Sequence, residues 1–205
     1  IPVSPKNIFP SNIQGLPTWF EIRASEKGYL GRKAGIDFMV AMNPQSYIQD
    51  VAEINPGGYL LYDSSWKREF HREDINIIEV PLTSLCVDEF QNPKTRLLFK
   101  NLVYVGALSY LMSIKKDIFI ELIEEQFKGK EKLIAPNVQA LEMGFNYAKK
   151  HLVDACDIKV NKKNLTDGMI LTNGNNAGGL GCVYGGATVC AWYPITPSTS
   201  LAESY

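Results

Sequence analysis

The sequence of 205 residues has no long apolar run and no excess of charge of either sign. Its most apolar stretch, VYVGALSYLM, is too short to span a bilayer. The net charge is −1, which gives no electrostatic reason to bind a nucleic acid or an anionic membrane. We therefore expect neither of these as a partner.

Metal-ligating residues are also few and scattered. His71 and His151 lie far from the cysteines, and no two cysteines form a C-x-x-C pair. Zinc and iron–sulfur sites need clustered thiolates or imidazoles. The sequence therefore predicts no metal site in this chain. It predicts small, apolar, unpaired cysteines, which suit a reducing cytoplasm: Cys86, Cys156, Cys182 and Cys190.

Four segments in the first half of the chain predict strands. TWFEIRAS (18–25) alternates apolar and polar residues, as a half-exposed strand does. IDFMVAM (36–42) is continuously apolar and predicts a buried central strand. Residues 59–63, after a Pro-Gly-Gly turn, and INIIEVPL (75–82) predict two more. A short helix in PQSYIQDVAEI separates two of these strands, so the pattern favours an α/β fold with a mostly parallel sheet.

Three helices are predicted next. Asn92 is a candidate cap with Pro93 at the first helical position. The apolar stripe of this helix comprises Leu98, Leu102, Val105, Leu108 and Met112. Asp117 is the predicted cap of the second helix, which ends before Gly129, and Pro136 is predicted to begin the third.

The composition changes after residue 152. Residues 153–166 are rich in charge and asparagine and predict a linker. From Asp167 to Ser200 the sequence is rich in glycine, and Asp167 is its only charged residue. We predict an α/β domain at 1–152, a linker at 153–166 and the start of a second domain at 167–205. The 39 residues from Asp167 to the end are too few for a complete core.

Two segments of this second part invite a functional interpretation. GGLGCVYGG (178–186) begins like a dinucleotide-binding fingerprint, but Tyr184 stands where the third glycine is required, and a helix rich in small residues is favoured instead. VCAW predicts a strand, and YPITPSTS after it predicts a stiff, extended loop followed by a helix near Leu201 capped by Ser-Thr-Ser. Such a loop at the carboxyl end of a strand suits a ligand site, although a purely structural corner is the commoner meaning.

The segment GNNAGGLGCVYGGATVCAWYPITPSTSLAE resembles the opening of the alpha subunit of 2-oxoacid:ferredoxin oxidoreductases. That family runs G-N-x-A-x-x-x-G into a strand and then Y-P-I-T-P-S. The matching residues here are Gly174, Asn175, Ala177, Gly181 and 193–198. Upstream, VAMNP, the Pro-Gly-Gly strand and NLVYVGAL look like the family's gamma domain. The order implies a fused gamma–alpha subunit of the 2-oxoglutarate type.

The resemblance implies a Rossmann-like gamma domain followed by the first part of a domain that binds the pyrimidine side of thiamine diphosphate. Carried over from the family, Thr196 is the substrate contact. The residues that shape the cofactor pocket would be Tyr193, Pro194, Ile195, Pro197 and Ser198. No catalytic residue is assigned in this chain. The enzyme would decarboxylate a 2-oxoacid oxidatively, with 2-oxoglutarate first and pyruvate or a branched 2-oxoacid second.

The resemblance also implies what other parts supply. A beta subunit would hold most of the thiamine diphosphate with Mg²⁺, a partner subunit a [4Fe-4S] cluster, and coenzyme A and ferredoxin would be co-substrate and electron acceptor. The family's glycine-rich gamma loop would precede Ile1, and the carboxylate that activates the aminopyrimidine would follow Tyr205. We expect a fragment that is inactive alone.

An alternative from another class is a non-catalytic scaffold or a coenzyme A-binding module. Arg23, Lys27 and Arg32 lie close together in EIRASEKGYLGR and would suit a phosphate or a carboxylate, although such a basic loop is more often a solvated surface. A nucleotide-dependent oxidoreductase is a third hypothesis.

Overall fold

The computed structural model describes residues 3–8 and 17–205. The strands are β1 (Val3–Ile8), β2 (Trp19–Ala24), β3 (Ile36–Ala41), β4 (Ile54–Asp63) and β5 (Asn76–Val80). The helices are α1 (Tyr47–Ala52), α2 (Leu82–Glu89), α3 (Pro93–Leu111), α4 (Lys116–Gln126), α5 (Ile134–His151), α6 (Gly174–Tyr184) and α7 (Ser198–Glu203). None of the helices among these residues is long and apolar enough to cross a membrane.

Three parallel strands in the order β3-β4-β5 form the main sheet, so the predicted α/β fold with a parallel sheet is confirmed. The central strand is β4 and not β3, contrary to the sequence-based prediction. Leu60 and Leu61 of β4 point to opposite faces and are both fully buried, which is the pattern of a central strand. β4 is also longer than predicted, because Pro56, Gly57 and Gly58 lie within it at a register shift.

The sheet buries a core on each face. On one face, Tyr59 and Leu61 join Ile78 and Val80 of β5 against α2, α3 and α5. On the other face, the smaller core comprises Met39, Ala41, Tyr47, Ile54, Leu60, Tyr62 and Ile75. The alternation along β4 therefore assigns successive residues to different cores.

β1 and β2 form a separate antiparallel pair. β2 was predicted from its alternation, and the prediction is confirmed. β1 was not predicted, because Pro5 lies inside it and obscures the strand pattern. A proline is tolerated at the edge of a sheet, where its missing N–H deprives no neighbour of a bond.

The contacts within the chain define two compact units. One comprises the described part of the first 31 residues together with Lys163–Tyr205, and the other comprises Arg32–Lys162. Residues 153–162 pack onto the second unit: the Val160 N–H donates to the Met112 carbonyl at 2.8 Å, and Cys156 is 2% exposed. Part of the segment that composition assigned to a linker is thus anchored. The domain boundaries at 152 and 166 stay a prediction.

The helix predictions are right in outline and wrong in detail. Asn92 caps α3 by accepting a hydrogen bond from the Lys94 N–H at 2.9 Å, as expected. The apolar stripe is rotated, however: Leu98 is 64% exposed, whereas Val103 and Ala107 are fully buried. Asp117 lies in the first turn of α4 and does not cap it.

The rotation of the stripe follows from a close approach of α3 and α5 at two glycines. A Cβ added to Gly106 would lie 1.9 Å from the Leu141 carbonyl oxygen, and one added to Gly144 would lie 1.8 Å from that of Val103. Real Cβ atoms do not approach backbone so closely. The two backbones therefore meet across a contact that only glycine permits.

A buried carboxylate ties the end of the central strand to two helices. Asp63, the last residue of β4, accepts hydrogen bonds from the Thr83 N–H at 3.2 Å, from the Thr83 hydroxyl and from the Ser65 N–H at 3.2 Å. The Lys100 ammonium of α3 lies 3.5 Å away. Burial would raise the pKa of Asp63, but the hydrogen bonds from Thr83 and Ser65 outweigh it and hold the pKa below its usual value.

We expect Gly144→Ala to destabilise the protein by about 2 to 3 kcal/mol, because the added methyl group forces α3 and α5 apart. Gly106→Ala has the same effect for the same reason. Asn146→Ala, at an exposed position of α5, is the control and leaves stability unchanged or slightly higher. Urea unfolding monitored by circular dichroism measures all three, and a wild-type midpoint for Gly144→Ala would contradict the close crossing.

We expect Asp63→Asn to destabilise the protein by about 2 kcal/mol at pH 7, because it leaves the half-buried Lys100 ammonium without its counter-charge. The pKa of Asp63 is lower in the folded protein than in the unfolded one. Its stabilisation is therefore complete above the unfolded pKa and is lost as the pH falls through the folded one.

Unfolding curves of wild type and Asp63→Asn should therefore converge below about pH 4. Asp74→Asn is the control, because the Asp74 carboxylate is 48% exposed and water screens its ion pair with Arg72, so this substitution should leave stability nearly unchanged. A difference between wild type and Asp63→Asn that does not change with pH would contradict the assignment.

Candidate functional site

The candidate site lies in the segment 174–205, where α6 and α7 pack on each other. Gly179 allows this contact, because a Cβ there would lie 2.7 Å from the backbone of Ser204. Residues 187–197 between the two helices form neither helix nor strand. The strand predicted at VCAW is therefore absent from this part of the chain, since no neighbouring strand supplies the hydrogen bonds that an extended segment needs to become one.

Hydrogen bonds between backbone groups of the loop 193–198 fold it back on itself. The Ile195 N–H donates to the Tyr193 carbonyl at 2.8 Å, and the Ser198 N–H donates to the Ile195 carbonyl at 2.8 Å. The Ser198 hydroxyl lies 2.6 Å from the Ile195 carbonyl and 3.2 Å from that of Tyr193. The Thr196–Pro197 peptide bond is cis. The predicted site residues 193–198 are thus held in one compact, solvent-exposed loop.

α7 begins earlier than predicted, and its cap is different. The helix begins at Ser198 and not near Leu201, and no side chain caps its first turn. The reason is that the Ser198 hydroxyl bonds to the loop behind it and not to the helix ahead. The Ser198 side chain therefore stabilises the loop through its contacts with backbone carbonyls.

The Thr196 side chain has a different environment. It is exposed between Pro194 and Pro197, and no hydrogen-bond partner holds its hydroxyl among residues 3–8 and 17–205. The Ser198 and Ser200 hydroxyls nearby are both engaged with backbone carbonyls. Thr196 therefore presents, from a backbone restricted by prolines, an exposed hydroxyl that can still bond to a ligand.

Asparagine side chains at the start of α6 connect the helix to the loop and to α7. Asn173 caps α6 by accepting from the Asn176 N–H at 2.9 Å, and Asn176 accepts from the Ser204 hydroxyl at 2.8 Å. The Asn175 amide donates to the Pro197 carbonyl at 2.8 Å and to the Ser200 hydroxyl at 2.7 Å. Sequence reasoning matched Asn175 to a family pattern but assigned it no role. The sequence signal that could have identified this role is a polar side chain in a run of small residues.

The glycine-rich stretch does not have the geometry of a dinucleotide site. Gly179 and Gly181 lie in the middle of α6, with Tyr184 at its end. A dinucleotide fingerprint instead places its glycines in the turn between a strand and a helix. The helix rich in small residues is confirmed.

The segment from Asp167 onward has almost no interior. Gly179 is its only buried residue among the described ones. Many large apolar side chains are exposed by half or more: Met169, Ile170, Leu171, Tyr184, Val189, Trp192, Tyr193 and Ile195. This burial pattern agrees with the expectation that these residues lack a complete core, which stays a prediction.

The basic residues of the alternative hypothesis are not assembled into one site by the contacts within either unit. Arg23 of β2 donates to the Gly31 carbonyl and lies 5.5 Å from the Tyr29 ring, so its guanidinium is engaged by the segment that follows its strand. Lys27 belongs to the same unit, whereas Arg32 belongs to the other. Arg32 lines an open cleft of about 450 Å³ with Lys33 and Glu53.

A second cleft of about 450 Å³ opens beside the start of α6 and carries no charged side chain. Its lining comprises Val3, Ser4, Pro5, Leu30, Leu171, Thr172, Asn173 and Asn176. Neither cleft resembles a metal centre. In the described part of the chain, no three His, Cys, Asp or Glu side chains are placed to share a metal ion. Cys86 and Cys156 are buried, and Cys182 and Cys190 are exposed.

Comparison with known proteins relates both parts of the chain to one enzyme group. The chain is 22% identical to the alpha subunit of 2-oxoacid:ferredoxin oxidoreductase 2 from Aeropyrum pernix, over 95% of this chain and 36% of that one. The solved 2-oxoglutarate:ferredoxin oxidoreductase from Magnetococcus marinus, with 2-oxoglutarate, coenzyme A and succinyl-CoA bound, has a TM-score of 0.84. Its identity is 28%, over 98% of this chain and 35% of that chain.

A third protein shares the fold alone. The gamma subunit of the keto/oxoacid ferredoxin oxidoreductase of Geobacter sulfurreducens has a TM-score of 0.55 at 18% identity, over 72% of this chain and 80% of that one. The chain spans about a third of the length of the Aeropyrum relative. The family model for pyruvate ferredoxin/flavodoxin oxidoreductase matches residues 1–147. Because this match covers most of the sequence, the chain belongs to the pyruvate ferredoxin/flavodoxin oxidoreductase family.

Proposed function

We propose that the chain is part of a thiamine-diphosphate-dependent 2-oxoacid:ferredoxin oxidoreductase. The complete enzyme oxidises a 2-oxoacid, releases CO₂, transfers the acyl group to coenzyme A and passes two electrons to ferredoxin. Residues 1–152 serve as the gamma-type domain, and residues 167–205 begin the domain that faces the pyrimidine ring of the cofactor. The chain alone has no activity, because it supplies only part of the site.

The observation that carries this proposal is the free hydroxyl of Thr196 on a folded, uncharged loop. Thr196 donates a hydrogen bond to the carboxylate of the 2-oxoacid. The prolines on either side restrict the backbone, so little conformational entropy is lost when the substrate binds. The same loop presents Tyr193 and Ile195 as an apolar wall, with exposures of 78% and 60%.

The first candidate substrate is 2-oxoglutarate. The support is the Magnetococcus enzyme, which binds 2-oxoglutarate and matches 98% of this chain. Pyruvate and a branched 2-oxoacid are the next candidates, because the loop contacts only the part that all 2-oxoacids share. Turnover of the purified enzyme that favours pyruvate would overturn the assignment.

The residues of the loop fit one side of thiamine diphosphate. Between Gly168 and Ala202 no residue carries a charge, so this segment offers no ionised side chain to a diphosphate or to Mg²⁺. It offers apolar surface from Tyr193, Ile195 and Pro194, which suits the flat aminopyrimidine ring. When bound, thiamine diphosphate supplies the nucleophilic carbon and the electron sink for decarboxylation. This chain orients the substrate against it and keeps water from that side.

The remaining parts of the site come from partners. The exposed apolar side chains of 167–205 form a surface that monomeric proteins rarely leave open, and we infer that other parts of the complex cover it. The beta subunit holds the diphosphate with Mg²⁺, and a partner subunit carries the [4Fe-4S] cluster that reduces ferredoxin. The four free cysteines suit a cytoplasmic enzyme.

Thr196→Val tests the role of the loop. The change keeps the shape of the side chain but removes the hydrogen bond to the substrate carboxylate, which is a charged acceptor. We expect kcat/KM for 2-oxoglutarate to fall by about 10- to 100-fold. The assay is reduction of a viologen dye by the complete enzyme.

Thr188→Val is the matched control, because it makes the same change in the same exposed segment but outside the loop. It should leave kcat/KM within about twofold of wild type, which corresponds to less than about 0.5 kcal/mol. Equal kinetics for wild type and Thr196→Val would remove the substrate contact from the proposal.

Thiol labelling tests whether partners cover the exposed surface. In the separate subunit, Cys182 and Cys190 should react with a disulfide reagent, because both are exposed. Cys86 should not, since burial raises its pKa to about 11, and burial also raises the pKa of Cys156. In the assembled enzyme all four thiols should react slowly. Unchanged reactivity of Cys182 and Cys190 after assembly would contradict a covered surface.

A further inference from the structure

The Asn175 side chain donates hydrogen bonds to the segment on the carboxyl side of Thr196. Its amide nitrogen has two hydrogens, and it contacts two acceptors: the Pro197 carbonyl at 2.8 Å and the Ser200 hydroxyl at 2.7 Å. The Pro197 carbonyl belongs to the residue directly after Thr196. These hydrogen bonds therefore connect α6 to the backbone beside the proposed substrate contact.

The position of Asn175 suits this task. It is the second residue of α6, whose first turn is fixed by the Asn173 cap. It is half-buried, whereas Asn173 and Asn176 on either side are exposed. A side chain held on a capped helix loses little freedom when it bonds, so it can fix the position of a loop that has few other anchors.

The loop needs such an anchor. Pro194 and Pro197 have no N–H, and the N–H groups of Ile195 and Ser198 donate within the loop, so these backbone donors do not attach the loop to α6. The Ser198 hydroxyl bonds inward to the Ile195 carbonyl and thus closes the loop without attaching it to α6. The Ser200 hydroxyl donates to the Pro197 carbonyl at 3.1 Å and is itself held by Asn175.

We propose that Asn175 is a positioning residue, which sets where the Thr196 hydroxyl lies without touching the substrate. This inference rests on the proposed role of Thr196. It assigns to Asn175 a part in recognition of the 2-oxoacid carboxylate and none in the later reaction with coenzyme A.

The experiment compares Asn175→Ala and Asn175→Asp in the complete enzyme. Asn175→Asp keeps the size of the side chain but turns both donors into acceptors, so its carboxylate would face the Pro197 carbonyl. We expect kcat/KM for 2-oxoglutarate to fall by about tenfold or more in both variants, because displacement of a contact group by a fraction of an ångström is costly. The value of kcat/KM for coenzyme A should stay unchanged.

Ser204→Ala is the matched control. Ser204 also joins α7 to α6, through its 2.8 Å hydrogen bond to Asn176, but it lies at the far end of α7 from Thr196. A general loosening of the α6–α7 contact would lower the thermal midpoint in this variant and in Asn175→Ala alike. Only the Asn175 variants should change the kinetics for the 2-oxoacid.

A double-variant cycle separates positioning from a merely structural effect. If Asn175 acts through Thr196, the variant Asn175→Ala/Thr196→Val should match Thr196→Val within about twofold, because the hydroxyl to be positioned is gone. Effects that multiply in the double variant would overturn the inference. So would wild-type values of kcat/KM for 2-oxoglutarate in Asn175→Ala and Asn175→Asp.

The kinetics of Thr196→Val distinguish failure of the proposed substrate contact from failure of the positioning role of Asn175. If it lowers kcat/KM and the Asn175 variants do not, the substrate contact stands and the positioning role of Asn175 fails. If Thr196→Val has wild-type kinetics, the proposed contact itself fails and the positioning role fails with it.

Discussion

The close contact between α3 and α5 is the constraint on which the larger unit depends. Gly106 and Gly144 let the two helix backbones approach until a single added methyl group would overlap a carbonyl oxygen. This distance decides which residues of α3 face the sheet, and therefore why Val103 and Ala107 are buried while Leu98 is exposed. With the helix pair in place, Lys100 reaches Asp63 at the end of the central strand. The charge is buried only because the hydrogen bonds of Thr83 and Ser65 compensate for the loss of water.

The segment 167–205 is stabilised by different interactions. It has almost no interior, and its two helices are joined by one glycine contact and by asparagine and serine side chains. Such polar contacts fix geometry well but contribute little net free energy, because the same groups bond to water when the chain is unfolded. The segment is thus organised in detail around the loop 193–198 while leaving a large apolar surface exposed. Within the proposed enzyme, that combination suits one wall of a site whose other walls belong to partners.

In α/β folds, ligands commonly bind at the carboxyl end of the parallel sheet. At the end of β4 in this protein, the polar groups instead form hydrogen bonds with one another. Asp63 takes its donors from Thr83 and Ser65, and the neighbouring Ser84 N–H donates to the Ser65 hydroxyl at 2.9 Å. These polar groups therefore stabilise the fold. In the proposed function, the hydroxyl that binds the substrate carboxylate belongs to the other unit, at Thr196.

Local patterns in the sequence determined most of the element types and the Asn92 cap, because each of these depends on residues close together in the chain. The succession of strand, helix and strand indicated the parallel sheet. YPITPS likewise identified the loop by its own prolines and hydroxyls. Tertiary structure decided the rest. The order of strands, the rotation of α3 and the hydrogen bonds of Asp63 depend on groups brought together from distant positions, and so does the attachment of Asn175 to Pro197, 22 residues along the chain. The strand predicted at VCAW shows the same limit, since a strand exists only where another strand lies beside it.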